Sequence, residues 1–332
     1  MRVLGIDTSC DETSVALVER GRILASVVSG QTSLHRPFGG VVPEIAARAH
    51  AEKMVPALLE VVGKDAAPEA VAVTHRPGLV GPLLVGLSAA KAYAFARDLP
   101  LVGVNHLEAH VAAAYLLDPP PDPPFLALIA SGGHTLLYSV PARGRYERLG
   151  QTQDDAAGEC FDKIAAILGL PYPGGPSIEK AAREGDPKAF DLPRPLRDDD
   201  TDDFSFSGLK TAVLYLVKGQ DGRRADPDAR TVSVADVAAS AQEAIADVLS
   251  RKAVRAAERR GIARLVLGGG VAANTRLREL AAERGRAAGI EVFIPPKALC
   301  TDNAAMVAVR GAERLEEGVR DGFDLDADPY SE

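Results

Sequence analysis

Short apolar and polar blocks follow one another from the N-terminus and predict a β-hairpin. The apolar run 3–6 leads into the polar segment 7–14, and a second apolar run follows at 15–18, just before Gly21. Two strand-like runs joined by a short polar segment are typical of a hairpin. The sequence therefore predicts a sheet in which the first two strands meet at a polar tip.

The same order of blocks returns in the second half of the chain. The apolar run 125–129 leads into Ser-Gly-Gly-His-Thr at 131–135, then into the apolar run 136–140 and a turn near Gly144. Between the two copies lies the proline-rich stretch 118–124, which can form neither a helix nor the interior of a sheet. The sequence therefore predicts a duplicated unit with a domain boundary at this stretch.

Longer segments between and after these hairpins predict alternating strands and helices. Apolar residues that recur every three or four positions predict helices, and short apolar runs predict strands. The predicted helices cover 44–61, 83–97, 106–117, 236–260 and 303–317, and the predicted strands cover 71–74, 101–104, 265–267 and 292–294. This alternation is expected of an α/β layered fold.

Composition agrees with a globular α/β chain. Of the 332 residues, 46% are hydrophobic and 25% are charged, which suits one large domain or two ordinary ones. No window reaches the roughly 18 uncharged apolar residues that a membrane helix needs, and the segment after Met1 lacks a signal-peptide pattern. Three isolated cysteines, Cys10, Cys160 and Cys300, fit neither a disulfide framework nor a zinc knuckle. We therefore expect a cytoplasmic protein without membrane association.

The clearest candidate for chemistry is a histidine pair on the predicted helix 106–117. His106 and His110 are four residues apart, so both imidazoles project from one face within reach of a single ion. Two histidines on a partly buried helix face, without a metal, are the alternative. Glu108 lies about 200° around the helix from His106, unlike the glutamate of an H-E-x-x-H zinc peptidase. A peptidase mechanism is therefore disfavoured.

A third metal ligand has to come from elsewhere, and Asp302 is the candidate. It precedes a predicted helix in the segment 300–303, where the alternative role is that of a helix N-cap. Two imidazoles and one carboxylate, with coordination positions left open, suit Fe2+ or Zn2+ acting as a Lewis acid. His35, His50 and His75 have no partners at ligand spacing and are interpreted as structural.

Three glycine-containing or polar loops together favour a bound nucleotide. The loops 7–14, 131–135 and 268–274 each follow a predicted strand and offer backbone N–H groups of the kind that bind phosphate. Each alone is equally typical of a plain turn, because none is a Walker or G-x-G-x-x-G loop. The segments 161–163 and 172–176 are weaker candidates for ribose and base contacts, with an exposed aspartate and a Pro-Gly turn as the alternatives.

Taken together, these segments resemble the TsaD family, also called Gcp. The matching segments, in the order of the family, are 5–14, 42–50, 77–86, 105–110, 131–135, 161–163, 172–176, 204–211, 268–274 and 300–306. The resemblance covers nearly the whole chain, and the motifs are highly specific as a set.

The resemblance implies the actin-like ATPase (ASKHA) fold, an α/β fold shared with sugar kinases and DnaK chaperones. In that fold, two duplicated lobes enclose a central cleft. Applied to this sequence, it implies an N-terminal lobe at 1–118, a proline-rich linker at 119–124 and a C-terminal lobe at 125–302. The C-terminal helix at about 303–320 is expected to pack back on the first lobe.

The resemblance also implies an acyltransferase activity. Such enzymes transfer the threonylcarbamoyl group from threonylcarbamoyl-AMP to N6 of adenosine 37 in tRNAs that read ANN codons, which forms t6A and releases AMP. Bacterial relatives work with TsaB and TsaE proteins, and a TsaC-type enzyme supplies the adenylate. The expected partners are therefore tRNA and these proteins.

Site residues follow from the resemblance position by position. His106, His110 and Asp302 are implied as ligands of one divalent metal ion, Fe2+ first and Zn2+ second. The residues implied to bind the adenylate, or ATP, are Ile129, Ala130, Ser131, Gly132, Gly133, Asp162, Gly175, Glu179 and Asn274. Many relatives carry Asp at the position of Glu179, so the carboxylate here reaches further. The segment 75–77 also departs from the form frequent in bacterial members and receives no role.

Asp11 and Glu12, in the first loop, are our hypothesis for the catalytic base. A carbamoyl-phosphate anhydride is already activated, so the enzyme mainly has to hold it and polarise its carbonyl. The attacking aromatic amine has to lose a proton, and a carboxylate in the polar loop has the chemistry to accept it.

Two other classes of function compete with this interpretation. A small-molecule kinase of the same fold would use the glycine loops for ATP but would have no use for the pair His106 and His110. A noncatalytic nucleotide-binding scaffold would exchange nucleotide without chemistry on RNA. Bound transition metal discriminates the transferase from the kinase.

The charge distribution modifies the expectation for nucleic acid. A net charge of −8 normally counts against a phosphate-backbone partner. The segment 251–286, however, holds ten Lys or Arg against three Glu, a local charge of +7, while five aspartates are concentrated in 198–203. We therefore predict that the segment 251–286 contributes to tRNA docking and that the segment 198–203 is a solvated loop.

Overall fold

The first of two five-stranded sheets contains the predicted N-terminal hairpin. Its strands are β1 (Arg2–Asp7), β2 (Glu12–Glu19), β3 (Arg22–Gly30), β4 (Ala70–Arg76) and β5 (Leu101–Asn105). The order is β3-β2-β1-β4-β5, with antiparallel pairing among β1, β2 and β3 and parallel pairing among β1, β4 and β5. Central β1 is buried from Val3 onward, which explains its unbroken apolar run.

The second sheet repeats this arrangement and confirms the predicted duplication. Its strands are β6 (Phe125–Ala130), β7 (Thr135–Ala142), β8 (Arg145–Gln151), β9 (Arg264–Gly268) and β10 (Glu291–Phe293). The order β10-β9-β6-β7-β8 is the same in chain sequence as that of the first sheet, read from the other edge. β6 again pairs antiparallel with its hairpin partner β7 and parallel with β9.

The helices agree with the predicted periodicity where that periodicity is long. They are α1 (Thr32–His35), α2 (Pro43–Val62), α3 (Val80–Arg97), α4 (His106–Ala112), α5 (Ala157–Ile167), α6 (Gly174–Ala182), α7 (Ser207–Lys218), α8 (Val234–Arg260), α9 (Thr275–Ala287), α10 (Lys297–Cys300) and α11 (Ala304–Glu316). The predicted helix 106–117 is α4 followed by a 3₁₀ turn at Ala113–Leu116. α5, α6 and α7 occupy segments for which no helix was predicted from the sequence.

The computed structural model describes residues 1–63, 67–219 and 232–331, which divide into two units around the two sheets. The first unit comprises Met1–Asp122, Ala142–Arg145 and Thr301–Glu332, and the second comprises Pro123–Pro141 and Tyr146–Cys300. The proline-rich stretch 119–124, described throughout, contains no strand or helix. Thr301 and Asp302 belong to the first unit, whereas the resemblance had included them in a C-terminal lobe ending at 302.

α11 returns the chain to the first sheet because a glycine in β1 leaves room for it. α11 packs on β1, β2 and β4. A Cβ on Gly5 would collide with the carbonyl oxygen of Ala304 and would lie 2.8 Å from the amide nitrogen of Ala308. A Cβ on Gly311 would likewise collide with the Cβ of Ala72. This close packing carries the residues just before α11 to the carboxyl end of β1.

The acidic segment 198–203 is a loop that is exposed at 198–200, as expected, but three of its aspartates are also ion-paired. Its aspartates face arginines of α8: Asp198 pairs with Arg251, Asp200 with Arg255, and Asp202 with both Arg259 and Arg260. A charge count along the sequence treats the acidic segment and α8 separately, whereas in the folded protein their opposite charges are in contact. Docking of tRNA on 251–286 stays a prediction, with less free positive charge than the count indicates.

Membrane insertion finds no support in the helices. In the part of the chain that the structure describes, no helix combines the length and the apolar composition needed to cross a bilayer.

Candidate functional site

The histidine pair lies in the first unit, where α4 begins directly after β5. Asn105 caps α4, because its side-chain oxygen accepts hydrogen bonds from the backbone N–H of Leu107 at 2.8 Å and of Glu108 at 3.3 Å. His106 and His110 are both buried, and their ring centroids are 4.6 Å apart in an edge-to-face arrangement. The structure thus brings the two imidazoles to one helix face, as their spacing predicts.

Asp302 joins the two histidines, and its alternative role as a helix cap is excluded. The carboxylate oxygen Oδ1 lies 3.5 Å from His106 Nε2 and 3.1 Å from His110 Nε2. The neighbouring Asn303 caps α11 instead, through a hydrogen bond that its side chain accepts from the Met306 N–H at 3.1 Å. One ligand atom from each of His106, His110 and Asp302 lies within 4.8 Å of the others.

The polar atoms of this group fit a cation better than they fit each other. Neither ring nitrogen of His110 makes a hydrogen bond with any residue that the structure describes, although both are buried. The 3.1 Å approach of His110 Nε2 to Asp302 lacks hydrogen-bond alignment. Buried polar groups are normally hydrogen-bonded. Buried imidazole nitrogens that lie beside a carboxylate without a hydrogen bond therefore indicate a site for a cation. Two imidazoles and one carboxylate are a donor set suited to Fe2+ or Zn2+.

His106 is oriented by residues that the sequence analysis did not assign to the site. Its Nδ1 lies 3.2 Å from Ser9 Oγ and 3.3 Å from Asp7 Oδ2, and all three side chains are buried. A carboxylate or hydroxyl on the second nitrogen fixes ring orientation in many metal sites. In the sequence, an acid at the end of an otherwise apolar strand could have pointed to Asp7, whereas no local pattern pointed to Ser9.

The electrostatics of the group show how strongly negative charge is concentrated there. Burial lowers the pKa of His106, but the charges of Asp302 and Asp7 outweigh it and hold that pKa well above its ordinary value. Burial likewise raises the pKa of Asp302, yet His106 and His110 hold it well below its usual range. The site is therefore built to attract positive charge.

Asp11 and Glu12, our hypothesis for the base, lie in the same negative environment. Burial first, and then the charges of Asp302 and Asp11, raise the pKa of Glu12 to about 10. Burial and the neighbouring Asp11 also raise the pKa of the Cys10 thiol well above its usual value. A cation in this negative environment would lower the pKa of Glu12 and so favour its role as a base.

Glu108 is turned away from the histidine pair, as the helical geometry predicts. Its carboxylate forms an ion pair with Arg310, with Oε2 2.8 Å from Nε. Arg310 also lies 3.4 Å from Glu313 on its own helix, α11. Glu108 therefore links α4 to α11 and does not act as the base of a zinc peptidase.

The glycine loops of the second unit contact one another closely. In the loop 131–135, the Ser131 N–H donates to the His134 carbonyl at 2.8 Å. A Cβ on Gly269 would collide with the Ala130 carbonyl oxygen, and one on Gly158 would collide with the Ser131 carbonyl oxygen. Gly269 also has a positive φ of 81°, which favours glycine. The structure thus brings the ends of β6 and β9 together with the start of α5.

The exposed part of this loop has open space beside its backbone. A Cβ on Gly132 or Gly133 would meet no atom within 4 Å, and both residues are exposed. Backbone without side chains allows the close approach that a phosphate requires. Ile129 and Ala130, by contrast, are buried at the end of β6, where they support the loop.

Four further residues of the implied adenylate set lie on helices of the second unit. Asp162 is inside α5, and its Oδ1 accepts a 2.6 Å hydrogen bond from the N–H of Gly174, the residue before Gly175. Glu179, in α6, accepts a 2.6 Å hydrogen bond from the Thr275 hydroxyl. Asn274 caps α9 and donates to Gln242 at 2.9 Å.

These contacts arrange the four residues in two pairs. Asp162 lies beside Gly175 through its bond to Gly174, and Glu179 lies beside Asn274 through its bond to Thr275. The segments 161–163 and 172–176 are helical residues and a helix start, whereas their alternative readings were an exposed aspartate and a plain turn.

Solved structures establish the class of fold to which this protein belongs. The HypF structure from T. kodakarensis superposes with a TM-score of 0.64 at 14% identity, over 96% of this chain and 48% of that one. The activator of 2-hydroxyisocaproyl-CoA dehydratase from Clostridium difficile gives a TM-score of 0.54 at 15% identity, over 97% and 99% of the two chains. The protein therefore has the two-lobed actin-like ATPase fold, here with a histidine–aspartate group in its first unit.

Sequence comparison then identifies the family. The model of the TsaD family, described as tRNA N6-adenosine threonylcarbamoyltransferase, matches residues 22–309. Relatives with that name are 56% identical in Anaeromyxobacter dehalogenans strain 2CP-1, 53% in Geobacter sp. strain M21 and 51% in Thermotoga neapolitana. Each alignment covers 99% of this chain and at least 96% of the relative. The chain belongs to the TsaD family.

Proposed function

We propose that this protein transfers the threonylcarbamoyl group from threonylcarbamoyl-AMP to N6 of adenosine 37 in tRNAs that read ANN codons, forming t6A and releasing AMP. Membership of the TsaD family supports the reaction class. The observation that carries the proposal is the convergence of His106, His110 and Asp302 on one point, where neither ring nitrogen of His110 makes a hydrogen bond to a described residue. A kinase of the same fold has no use for this group.

The metal part of the proposal rests on the same three residues. His106, His110 and Asp302 hold one divalent ion, Fe2+ first and Zn2+ second. When bound, the ion supplies a Lewis acid that polarises the oxygen of the acyl donor. Asp7 and Ser9 keep the His106 ring in position to bind it, through the 3.3 Å and 3.2 Å contacts to Nδ1.

The adenylate part of the proposal rests on the second unit. The open backbone of Gly132 and Gly133 receives the phosphate, with Ile129, Ala130 and Ser131 forming the base of the loop. Asp162, Gly175, Glu179 and Asn274 hold the ribose and base of the adenylate, or of ATP. The paired arrangement of these four residues supports this role.

Proton transfer is assigned to the first loop. Asp11 or Glu12 accepts the proton that the attacking amine loses, as the hypothesis from the sequence states. The raised pKa of Glu12, about 10, makes this role dependent on a cation nearby. The proximity of Asp302, which contributes to that shift, supports the dependence.

Partner proteins are part of the proposal as well. We infer that TsaB-type and TsaE-type proteins assist the reaction in the cytoplasm and that a TsaC-type enzyme supplies the adenylate. Exposed apolar side chains on the packed helices α2 and α3 support a protein-binding face on the first unit. They are Val55, Leu59, Val80, Leu84 and Phe95.

A single assay tests the proposed function. The metal content of the purified protein and the incorporation of labelled threonine into tRNA are measured together, with partner proteins and the adenylate-forming enzyme supplied. We expect His106→Ala to lose both metal and incorporation, while His75→Ala, a histidine outside the group, keeps both. Equal incorporation by His106→Ala and the unmodified protein would contradict the metal role, and absence of incorporation by the unmodified protein would contradict the activity.

A further inference from the structure

A chain of buried polar side chains runs through the first unit beside the proposed site. It connects the backbone of Val42, just before α2, to the backbone of Cys10, in the loop after β1. The side chains in between are Gln31, His35, His50 and Thr13, all fully buried. From the sequence alone, His35 and His50 are interpreted as structural.

The two ends of this chain are backbone groups, and they fix the direction of every hydrogen bond. At one end, the Val42 N–H donates to His35 Nδ1 at 3.2 Å. A nitrogen that accepts a hydrogen bond carries no proton, so His35 is protonated on Nε2. That Nε2 donates to Gln31 Oε1 at 3.2 Å.

Gln31 transmits the same direction to His50. Its amide nitrogen has two N–H groups, one directed to the Ala46 carbonyl at 3.4 Å and one to His50 Nδ1 at 3.3 Å. The Ala46 carbonyl can only accept, so the amide cannot be turned around without loss of that bond. The Thr13 hydroxyl also reaches His50 Nδ1, at 2.8 Å.

His50 therefore presents an N–H group at the far end of the chain. Since Nδ1 accepts, the proton is on Nε2, which donates to the Cys10 carbonyl at 3.0 Å. Cys10 follows Ser9, whose hydroxyl contacts His106, and precedes Asp11 and Glu12. Burial lowers the pKa of His50, in agreement with a neutral ring.

We propose that His50 is a positioning residue that holds the segment 9–12 in place through the Cys10 carbonyl, with Gln31 and His35 fixing which nitrogen carries its proton. This inference rests on the proposed function for its effect on catalysis, whereas the protonation pattern stands on the hydrogen bonds alone. Loss of the His50 N–H lets Cys10 move, which displaces Ser9 from His106 and the acids Asp11 and Glu12 with it.

The first test compares His50→Leu with His50→Gln, in which the amide N–H of glutamine stands in for the Nε2–H. We expect His50→Leu to lower kcat of threonylcarbamoyl transfer by about 10- to 100-fold, as loss of an outer partner of a metal site typically does. We expect KM for the adenylate to stay unchanged, because the implied adenylate residues lie in the other unit. His50→Gln should recover kcat to within a few-fold.

The second test does not depend on the reaction. Co2+ affinity, measured by titration of the metal-free protein, should fall about 10-fold in His50→Leu and recover in His50→Gln. In ¹⁵N-histidine spectra at pH 7.5, His35 and His50 should both be neutral with the proton on Nε2, assigned by comparison with His35→Gln and His50→Gln.

The outcomes separate this inference from the proposed function. Equal kcat and equal Co2+ affinity in His50→Leu and His50→Gln would overturn the positioning role, as would a proton on Nδ1 of His50. If the unmodified protein transfers no threonylcarbamoyl group, the proposed function fails, and Co2+ affinity and the spectra still decide the role of His50. If His50→Leu does not fold, Gln31→Met takes its place, since it removes the amide that orients His50, and it should lower Co2+ affinity likewise.

Discussion

At the scale of single residues, neighbouring side chains in the site have sharply different tasks. Asp302 and Asn303 are adjacent, yet one carboxylate faces two imidazoles and the other side chain caps a helix. His106 and Glu108 are two residues apart on α4, yet one faces Asp302 and the other pairs with Arg310. A change at one of these positions should therefore affect a single property.

Asp302→Asn should remove metal binding without unfolding α11. The amide is a poorer ligand than a carboxylate, and the helix cap at Asn303 remains. Loss of a residue that only supports a metal ligand typically lowers metal affinity by about 10- to 100-fold. Loss of the ligand Asp302 itself should therefore lower Co2+ or Zn2+ affinity by about 100-fold or more. Calorimetric titration of the metal-free protein measures this, with the exposed Asp324→Asn as control. Unchanged affinity in Asp302→Asn would exclude it as a ligand.

Asp11→Asn and Glu12→Gln test the assignment of the base. General base catalysis contributes roughly 10²- to 10⁴-fold, so the acid that acts as base should lose at least about 100-fold in the rate of a single turnover. The other variant should lose less. The rate is measured with preformed threonylcarbamoyl-AMP and excess enzyme, and normal rates in both variants would show that neither residue is the base.

At the scale of elements, α11 and α8 show how packing determines what a segment does. α11 packs so closely on β1 that only glycine fits at position 5, and this closeness carries Asp302 to the histidines. α8 carries arginines that pair with acids from a loop 50 to 60 residues earlier in the chain. Neither contact follows from the local sequence of the helix.

Gly5→Ala should weaken folding and metal binding together. The added methyl group collides with the Ala304 carbonyl, and overpacking of this kind costs about 1–3 kcal/mol. Displacement of α11 also moves Asp302, so metal affinity should fall as well. Gly30→Ala is the matched control, because a Cβ there meets nothing within 4 Å. Denaturant unfolding and Co2+ titration measure both effects, and equal stability of the two variants would contradict the prediction.

Asp247 on α8 gives a prediction for pH. Its carboxylate faces three arginines, with Arg194 Nε at 2.8 Å, Arg197 at 3.3 Å and Arg284 in contact. Burial raises the pKa of Asp247, but hydrogen bonds from Arg284 and Arg197 and the nearby positive charge lower it below the ordinary value. The folded pKa is thus below the unfolded one.

The stability from Asp247 is therefore present above the unfolded pKa of about 3.9 and is lost as pH falls through the folded pKa. At pH 7, Asp247→Asn should lower the free energy of unfolding by about 2 kcal/mol, as expected for hydrogen bonds to charged groups. Urea titrations at pH 7 and near pH 3 check this, and the difference between the variant and the unmodified protein should shrink at low pH. A constant difference would contradict the assignment.

At the scale of the whole molecule, the candidate metal ligands and the implied adenylate-binding residues belong to different units. His106, His110 and Asp302 lie in the first unit, and the implied adenylate residues lie in the second. The same strand order occurs in both sheets, although the two sets of candidate residues differ. The proposed function therefore assigns metal binding to the first unit and adenylate binding to the second.

Hydrogen exchange should reveal this separation. Zn2+ should protect amides around 105–112 and 301–306, and AMP should protect amides around 129–133, 162–179 and 268–275. A ligand at 100 times its dissociation constant stabilises the state that binds it by about 2.7 kcal/mol, which is enough to be seen as slower exchange. Protection by Zn2+ centred on the second unit would contradict the metal assignment.

Much of the fold could be predicted from the sequence, because it depends on the local pattern of apolar and polar residues. The hairpins, the long helices and the duplication follow from apolar periodicity, and the two histidines follow from a spacing of four on a helix. The helices α5, α6 and α7 were missed, because short helices with glycine and proline at their starts are typical of loops as well. Asp7, Ser9 and the chain through His50 were missed because their partners are distant in sequence.

The sequence by itself determined the hairpins, the long helices, the family resemblance and the identity of the candidate ligands, since each depends on residue type and on spacing along the chain. Only the tertiary structure decided that Asp302 faces the histidines while Asn303 caps α11, that the aspartates at 198–203 neutralise arginines of α8, and that His50 donates to Cys10. Apart from the local cap at Asn303, these facts depend on through-space distances between residues dozens to hundreds of positions apart, and distances of that kind are set by how helices and strands pack.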